Sequence, residues 1–162
     1  MRLEGSCHCG LVRFSLNSAQ LQPYQRCYCS ICRKTQGGGG YAVNLGGDSG
    51  SLAVEGREHV SIYHARIVEG GAVTISPAER HFCCRCGSAL WVWDPRWPEL
   101  VHPFASAIDT LLPVPPALTH ILLADKAPWV TVEHGGPGDL HFDGYPEESL
   151  AEWHQRLGVT AP

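Results

Sequence analysis

Apolar and polar residues alternate along several short stretches of this chain. Successive side chains of an extended strand point to opposite faces, so this period of two predicts a strand with one buried face. The alternating stretches are residues 11–16, 41–45, 51–55, 59–64, 72–75, 88–93 and 120–124. Gly, Asp or Pro residues lie between them and favour turns. The pattern predicts a mainly β fold of short strands.

One helix is predicted, over residues 146–157 near the C-terminus. Pro146 stands at its first position, where a backbone N–H is not needed, and two glutamates follow it in the first turn, where the helix dipole favours acidic side chains. Gly158 comes just past the predicted end. An apolar stripe runs along this helix and predicts a face that docks on the rest of the protein. Its members are Leu150, Trp153 and Leu157.

The composition limits the size of the fold and the kinds of partner. The chain has 162 residues, the size of one domain, and we treat residues 1–162 as a single domain. Its 18 Gly and 12 Pro residues interrupt the chain too often for long helices. No apolar run approaches the ~20 residues of a membrane span, and a net charge of −4 without a basic cluster argues against nucleic acid. Small molecules or proteins remain as partners.

Seven of the eight cysteines fall into three short groups whose spacings suit metal ions. The groups are Cys7 with Cys9, Cys27 with Cys29 and Cys32, and Cys83 with Cys86. On an extended strand, residues i and i+2 share a face, so Cys7 and Cys9 are expected to converge on one ion. The gap between Cys83 and Cys86 is typical of a zinc knuckle, and Gly87 gives its turn conformational freedom. The outer groups together predict a closed four-thiolate zinc site, and the middle group predicts three ligands and an open position.

Disulfides are the main alternative to metal binding. No secretory signal precedes Cys7, and the adjacent Cys83 and Cys84 are awkward for ordinary bridges. We therefore expect metal ligation in a reducing cytoplasm. A purely structural middle site stays open as an alternative, since Cys84 or His81 is a candidate fourth ligand. For His81 we favour a role in orienting ligands or in the core.

Three strings of residues resemble the motifs of the glutathione-dependent formaldehyde-activating enzyme family in order and spacing. They are GSCHCG at residues 5–10, CYCSICRK at 27–34 and FCCRCGS at 82–88. The resemblance continues in KAPW at residues 126–129, with a Trp near the start of a late strand, and in the closing helix, so it covers nearly the whole chain. One departure is residues 106–110, where only Asp109 clearly matches the family's usual small-Gly-Thr-Leu-Asp string.

This resemblance implies several short coiled antiparallel sheets around a structural zinc, with one C-terminal helix. The fold is shared with centromere protein V and with a small zinc protein that chaperones nucleotide-free Rab GTPases. The family pattern places the structural zinc on Cys7, Cys9, Cys83 and Cys86, and a catalytic-type zinc on Cys27, Cys29 and Cys32.

The resemblance further implies a carbon–sulfur lyase that acts on thiol–aldehyde adducts such as S-hydroxymethylglutathione. A small thiol such as glutathione and a small aldehyde are then the partners. Zinc with an open position is suited to lower the pKa of a thiol or to polarise an aldehyde oxygen. Arg33 and Lys34 are candidate partners for the carboxylates of a glutathione-like substrate, or for thiolate charge, and a solvated basic pair is the alternative.

No general acid or base stands out in the sequence. Asp109, His120 and Asp125 are polar residues in the matching region, and each is expected to be structural. Two other functions stay open. One is a zinc-stabilised binding module whose β surface holds a protein, and the other is a redox-sensitive protein, since a labile three-cysteine site is able to lose its metal and oxidise.

Overall fold

The structure is a computed structural model that describes residues 1–36, 38–133, 136–156 and 158. The strands in these ranges are β1 (Arg2–Ser6), β2 (Arg13–Asn17), β3 (Tyr24–Cys27), β4 (Ala42–Asn44), β5 (Gly47–Asp48), β6 (Ala53–Glu55), β7 (Val60–Glu69), β8 (Ala72–Cys83), β9 (Ala89–Trp93), β10 (Leu100–Pro103), β11 (Leu118–Ile121) and β12 (Leu140–His141). The α-helices are α1 (Ser30–Gln36) and α2 (Leu150–Arg156). The predicted mainly β fold with a C-terminal helix is confirmed.

Within the described ranges the strands form three sheets. The first has the order β1-β2-β6 and the second β5-β10-β9-β8-β7, and both are antiparallel. The third has the order β12-β11-β3-β4 and is mixed, because β11 runs parallel to β3 and to β12. The parallel pairs join segments far apart along the chain, which local alternation does not reveal.

The buried faces of these sheets form separate clusters of side chains. The largest includes Leu3, Phe14, Leu16, Leu90, Trp91 and Val101, and it also contains Cys7 and Cys83. A second cluster contains Cys27 and Cys32, packed with Ala42, Phe104 and Ile121. Each group of candidate metal ligands is therefore anchored in a different part of the core.

Several predicted strands have different ends in the structure, and the stretch at residues 59–64 lengthens into β7, which ends at Glu69. Alternation stops at Ile75, but β8 continues to Cys83 through a shift in its register with β7, which lies between His64 and Arg66. The stretch from residue 120 to 124 is cut short, because β11 ends at Ile121 and the next residue, Leu122, has a φ of 58°.

The helices also differ from the prediction. The C-terminal helix begins at Leu150 rather than Pro146, because Ser149 and Glu152 form a capping box: Glu152 N donates to Ser149 Oγ (3.2 Å), and Ser149 N donates to the Glu152 carboxylate (2.8 Å). Residue 157, the predicted last residue, lies outside the described residues. Helix α1 is absent from the sequence prediction.

Two further expectations concern membranes and the late strand. In the described part of the chain, no helix has the length and apolar character needed to cross a membrane. The expectation of a late strand beginning near Trp129 is wrong, since Pro128 and Trp129 form a turn and Trp129 is 67% exposed.

Candidate metal centres

The outer cysteine groups meet at one end of the second sheet. Cys7 directly follows β1 in a turn closed by a hydrogen bond from Gly10 N to Cys7 O (2.9 Å). Cys83 ends β8, and Gly87 N donates to Cys83 O (2.8 Å) in the matching turn. Gly87 has a φ of 74°, a left-handed conformation that glycine adopts readily. The predicted role of Gly87 is confirmed.

Four thiols converge at this outer cluster, which consists of Cys7, Cys9, Cys83 and Cys86. Their Sγ atoms all lie within 4.8 Å of one another, with Cys7 to Cys9 at 3.4 Å and Cys9 to Cys83 at 3.8 Å. Zinc–sulfur bonds of ~2.3 Å in a tetrahedron separate the sulfurs by about 3.8 Å, so the donor set fits a tetrahedral ion. The expected strand geometry is wrong here, because a turn rather than an extended strand brings Cys9 beside Cys7.

Hydrogen bonds at the outer cluster favour the thiolates of Cys7 and Cys86, whose pKa values are lowered. Val12 N donates to Cys7 Sγ (3.2 Å) from the buried side. The side chain of Ser88 lies 3.2 Å from Cys86 Sγ, and hydrogen bonds from its hydroxyl and its backbone lower the pKa of Cys86 to about 5. Sulfur atoms held in this way are prepared to bind a cation.

The inner cluster consists of Cys27, Cys29 and Cys32. Cys27 is the last residue of β3, Cys29 precedes α1, and Cys32 lies in the first turn of α1. Their three Sγ atoms lie within 4.8 Å of one another. The fold brings together every cysteine predicted for this group, at distances that also suit a metal ion.

Tyr28 holds the backbone between the first two inner ligands. It is fully buried, its hydroxyl is 2.8 Å from His120 Nδ1, and its backbone N donates to Ile121 O (3.1 Å). Because Tyr28 points into the core, the residues on either side of it are directed to a common opposite side. His120 therefore contacts Tyr28 inside the core.

The pKa values of the inner thiols are shifted in opposite directions. Hydrogen bonds from the thiols of Cys27 and Cys32 lower the pKa of Cys29 to about 2, and the backbone N of Cys32 also donates to Cys29 Sγ (3.3 Å). The hydrogen bonds to Cys29 and Cys32, together with burial, raise the pKa of Cys27. A neutral thiol cluster is thus prone to ionise at one member, which begins the loss of protons that metal binding requires.

Arg80 also reaches the inner cluster, and the sequence analysis missed it. Its Nη2 donates to Cys32 Sγ at 3.7 Å from β8, which belongs to another sheet than Cys27. The available signal was an arginine three residues before Cys83, beyond the alternating stretch that ends at Ile75. No pattern in the sequence indicates what lies opposite this side chain.

The basic residues predicted for substrate binding occupy different surroundings. Arg33 is half-buried, and its Nε is shielded from water without a hydrogen-bond partner in the described part of the chain. Lys34 is exposed. Arg33 and Lys34 are consecutive in α1, so their side chains leave the helix about 100° apart.

The two candidate fourth ligands lie elsewhere. Cys84 is exposed and belongs to neither cluster among the described residues. His81 stacks on Trp91, with ring centroids 4.9 Å apart, and its Nε2 lies 3.2 Å from the Glu79 carboxylate. Within residues 1–36, 38–133, 136–156 and 158, three side chains make up the inner donor set.

Space for a ligand lies beside α1. A cavity of about 510 Å³ lies between the end of α1, at Thr35 and Gln36, and the outer cluster, at Cys7 and Ser88, and no inner cysteine lines it. Gln36 Nε2 is buried there with no partner in the described ranges. Tyr145 lies close enough to the inner cluster to feel its charge: although Tyr145 is mostly exposed, desolvation of its hydroxyl and then the charges of the three thiolates raise its pKa to about 12.

Comparison with known proteins bears on the family and the fold of this chain. The family model of the glutathione-dependent formaldehyde-activating enzyme matches residues 2–123, which include both clusters. A Halomonas elongata protein named "Putative glutathione-dependent formaldehyde-activating enzyme" is 62% identical over 159 residues, 98% of each chain. A crystal structure of a Rhodobacter sphaeroides protein matches with a TM-score of 0.53 and 23% identity, over 70% of this chain and 92% of that one, and so supports the fold. The chain belongs to the glutathione-dependent formaldehyde-activating enzyme family.

Proposed function

We propose that this protein is a zinc-dependent carbon–sulfur lyase that forms and cleaves thiol–aldehyde adducts such as S-hydroxymethylglutathione. The observation that carries the proposal is the difference between the two clusters. The outer cluster supplies four thiols, a complete tetrahedral set, whereas the inner cluster supplies three in the part of the chain that the structure describes. Three protein ligands and one exchangeable position are typical of a catalytic zinc site.

The reaction joins sulfur to a carbonyl carbon. In the forming direction the thiol sulfur bonds to the aldehyde carbon, the carbonyl electron pair moves to oxygen, and the proton lost from sulfur is taken up by that oxygen. Zinc held by the inner cluster would supply Lewis-acid chemistry and one exchangeable ligand position. Cleavage of the adduct is the reverse of these steps. The chain's task is to hold three thiolates in place and to bind the reactants beside them.

Groups on α1, the helix that carries Cys32, suit a small polar thiol. The cavity at the end of α1 is lined by Cys7 of the outer cluster, and Gln36 Nε2, which has no partner among the described residues, is a donor there for a peptide-like group. The half-buried guanidinium of Arg33 is suited to a carboxylate, and Lys34 adds positive charge nearby from the surface. These residues are the proposed binding partners of glutathione.

The test measures both metal and rate. Two-dimensional exchange NMR on S-hydroxymethylglutathione gives the rate of exchange with formaldehyde and glutathione, corrected for the spontaneous reaction. We expect wild type to accelerate the exchange and Cys29→Ser to lose the acceleration together with one equivalent of zinc. The matched control is Cys84→Ser, which changes an exposed cysteine outside both clusters and should behave as wild type. Equal rates for wild type and Cys29→Ser would refute this function.

One observation favours a second candidate, a zinc-stabilised binding module. The hairpin of β7 and β8 carries apolar side chains that are about half exposed, namely Ile62, Val68, Val73 and Ile75. Exposed apolar groups of this kind are suited to a protein partner. If the protein shows no catalysed exchange while both metal sites are filled, this candidate becomes the better explanation.

A further inference from the structure

Arg80 links the inner cluster to the five-stranded sheet. Its strand position is fixed on both sides, since it pairs with Tyr63 of β7 and with Val92 of β9. From there Nη2 donates to Cys32 Sγ at 3.7 Å. The contact therefore connects a rigid position in one sheet to a ligand on α1.

The second terminal nitrogen of Arg80 has no hydrogen-bond acceptor in the described part of the chain. Nη1 is shielded from solvent and has no hydrogen-bond acceptor among residues 1–36, 38–133, 136–156 and 158. An unpaired buried donor costs about 1–3 kcal/mol, so it commonly marks a place where an ion, water or ligand binds. Because Nη1 and Nη2 are bonded to the same carbon, the unpaired donor lies beside the thiols as well.

The guanidinium of Arg80 is also suited to balance the negative charge of a metal-loaded inner cluster. Three thiolates around a divalent cation leave one negative charge, and Cys27 and Cys32 are only 4% and 2% exposed. A buried charge is costly unless it is paired and hydrogen-bonded. A guanidinium remains positive at any ordinary pH and presents several donors in a fixed plane, so it balances the charge and still has a donor free.

We propose that Arg80 orients Cys32 as a metal ligand through Nη2 and donates through Nη1 to the oxygen of the bound thiol–aldehyde adduct. The second part rests on the proposed function. During addition, the carbonyl oxygen gains negative charge before it takes up a proton, and a charged donor aimed at that oxygen stabilises the transition state more than the reactants. The same donor stabilises the oxygen when the carbon–sulfur bond breaks.

Two variants separate these roles. Arg80→Lys keeps a positive charge but presents one donor centre in place of the planar pair, and Arg80→Gln removes the charge. Arg66→Gln is the matched control, because Arg66 is an exposed arginine on the neighbouring strand β7. Thermal unfolding checks that all three variants fold like the wild type.

The first measurement is binding of cobalt(II). Protein that has lost its more labile metal to a mild chelator is titrated with cobalt(II), and thiolate-to-cobalt charge-transfer absorbance reports the refilled site. We expect Arg80→Gln to weaken cobalt binding by about 10- to 100-fold, as the loss of a residue that supports a ligand does. We expect Arg80→Lys to bind within a few-fold of wild type, and Arg66→Gln to match it.

The second measurement is the exchange rate at saturating metal. We expect Arg80→Lys to lower kcat by about 10²- to 10³-fold with little change in KM, the usual loss when one oxyanion donor is removed. Cobalt affinity equal to wild type in Arg80→Gln would overturn the orienting role, and an unchanged kcat in Arg80→Lys would overturn the donor role. If wild type catalyses no exchange, the proposed function and the donor role fail, and the cobalt titration still decides the orienting role.

Discussion

At the residue scale, the pKa of a cysteine thiol is shifted in different directions in the two clusters, as Cys86 and Cys27 show. Cys86 is exposed, and nearby donors from Ser88 lower its pKa. Cys27 lies in the core, and its hydrogen bonds to the other inner thiols and its burial raise its pKa. The sequence predicted both groups of cysteines that the fold brings together, because short spacings confine thiols to a small volume whatever the surrounding fold. It could not predict Arg80, since that contact depends on how two sheets are placed.

A further residue-scale prediction concerns the turn after β9. The carboxylate of Asp94 accepts hydrogen bonds from Arg96 Nε (2.9 Å), Nη2 (2.6 Å) and backbone N (3.0 Å). The side-chain hydrogen bonds from Arg96 hold the pKa of Asp94 below its ordinary value, despite partial burial. The Arg96 side chain is 60% exposed, so solvent screens the pair. We expect Asp94→Asn to lower the free energy of unfolding by about 0.5–1 kcal/mol at pH 7.

The effect of Asp94→Asn on the free energy of unfolding should depend on pH, because folding lowers the pKa of Asp94. A carboxyl whose pKa is lower in the folded state stabilises the fold above its unfolded pKa, and this stabilisation disappears as the pH falls through the folded pKa. The deficit of Asp94→Asn, meaning its loss of unfolding free energy relative to wild type, should therefore be largest near neutrality and shrink below about pH 4. Urea unfolding over this range measures it, with Glu99→Gln as a control for an exposed carboxylate. A deficit that grows on acidification would contradict the assignment.

At the element scale, the turns set the geometry of the ligands. The turn at Gly87 closes the loop between Cys83 and Cys86, and no atom of the described structure lies within 4 Å of where a Cβ would be. A substitution there meets backbone strain rather than a clash. We expect Gly87→Ala to lower the free energy of unfolding by about 1–2 kcal/mol, the usual strain of an L-residue in this conformation.

Thermal unfolding of the metal-loaded protein checks this prediction. The control is Gly144→Ala, because its Cβ also meets no atom within 4 Å and Gly144 does not have a positive φ. An equal loss of stability in both variants would show that the left-handed turn is not the cause.

Helix α1 shows where the sequence analysis failed at this scale. It has seven residues, and among those described only Cys32 is fully buried. So short a segment shows less than two periods of an apolar stripe, which is too little for a pattern to stand out. The cysteine spacing therefore singled out this segment, although its periodicity did not indicate a helix.

A second prediction at this scale concerns the strand ends that carry the outer cluster. We expect Cys83→Ser and Cys86→Ser to prevent stable folding, because structural zinc contributes about 10–16 kcal/mol in small domains. Circular dichroism and zinc content of the purified variants measure the effect. Cys84→Ser is the matched control, since it lies between the two ligands in sequence but outside the cluster. If Cys83→Ser and Cys86→Ser were as thermally stable as wild type, the outer cluster would not hold a structural zinc.

At the scale of the whole molecule, the two clusters belong to different parts of the core. The outer one ties the end of β1 to the end of β8, and the inner one lies where β3, α1 and β8 meet. The sequence predicted the contact between the end of β1 and the end of β8, because complementary pairs of cysteines imply a long-range contact. It did not predict the parallel pairing of β3 with β11, since parallel partners lack the hairpin that marks antiparallel neighbours.

This separation predicts two metal equivalents of unequal affinity. Four thiolates complete the coordination of one zinc, whereas three leave the other with an exchangeable ligand, so a chelator should compete more easily for the inner ion. Titration with a mild chelator should remove one equivalent while far-ultraviolet circular dichroism stays nearly constant, and a stronger chelator should then remove the second and unfold the chain. Cys29→Ser should start with only the resistant equivalent. Collapse of the dichroism signal as the first equivalent leaves would mean that the inner site holds the fold together, which would contradict the division between a structural and a reactive centre.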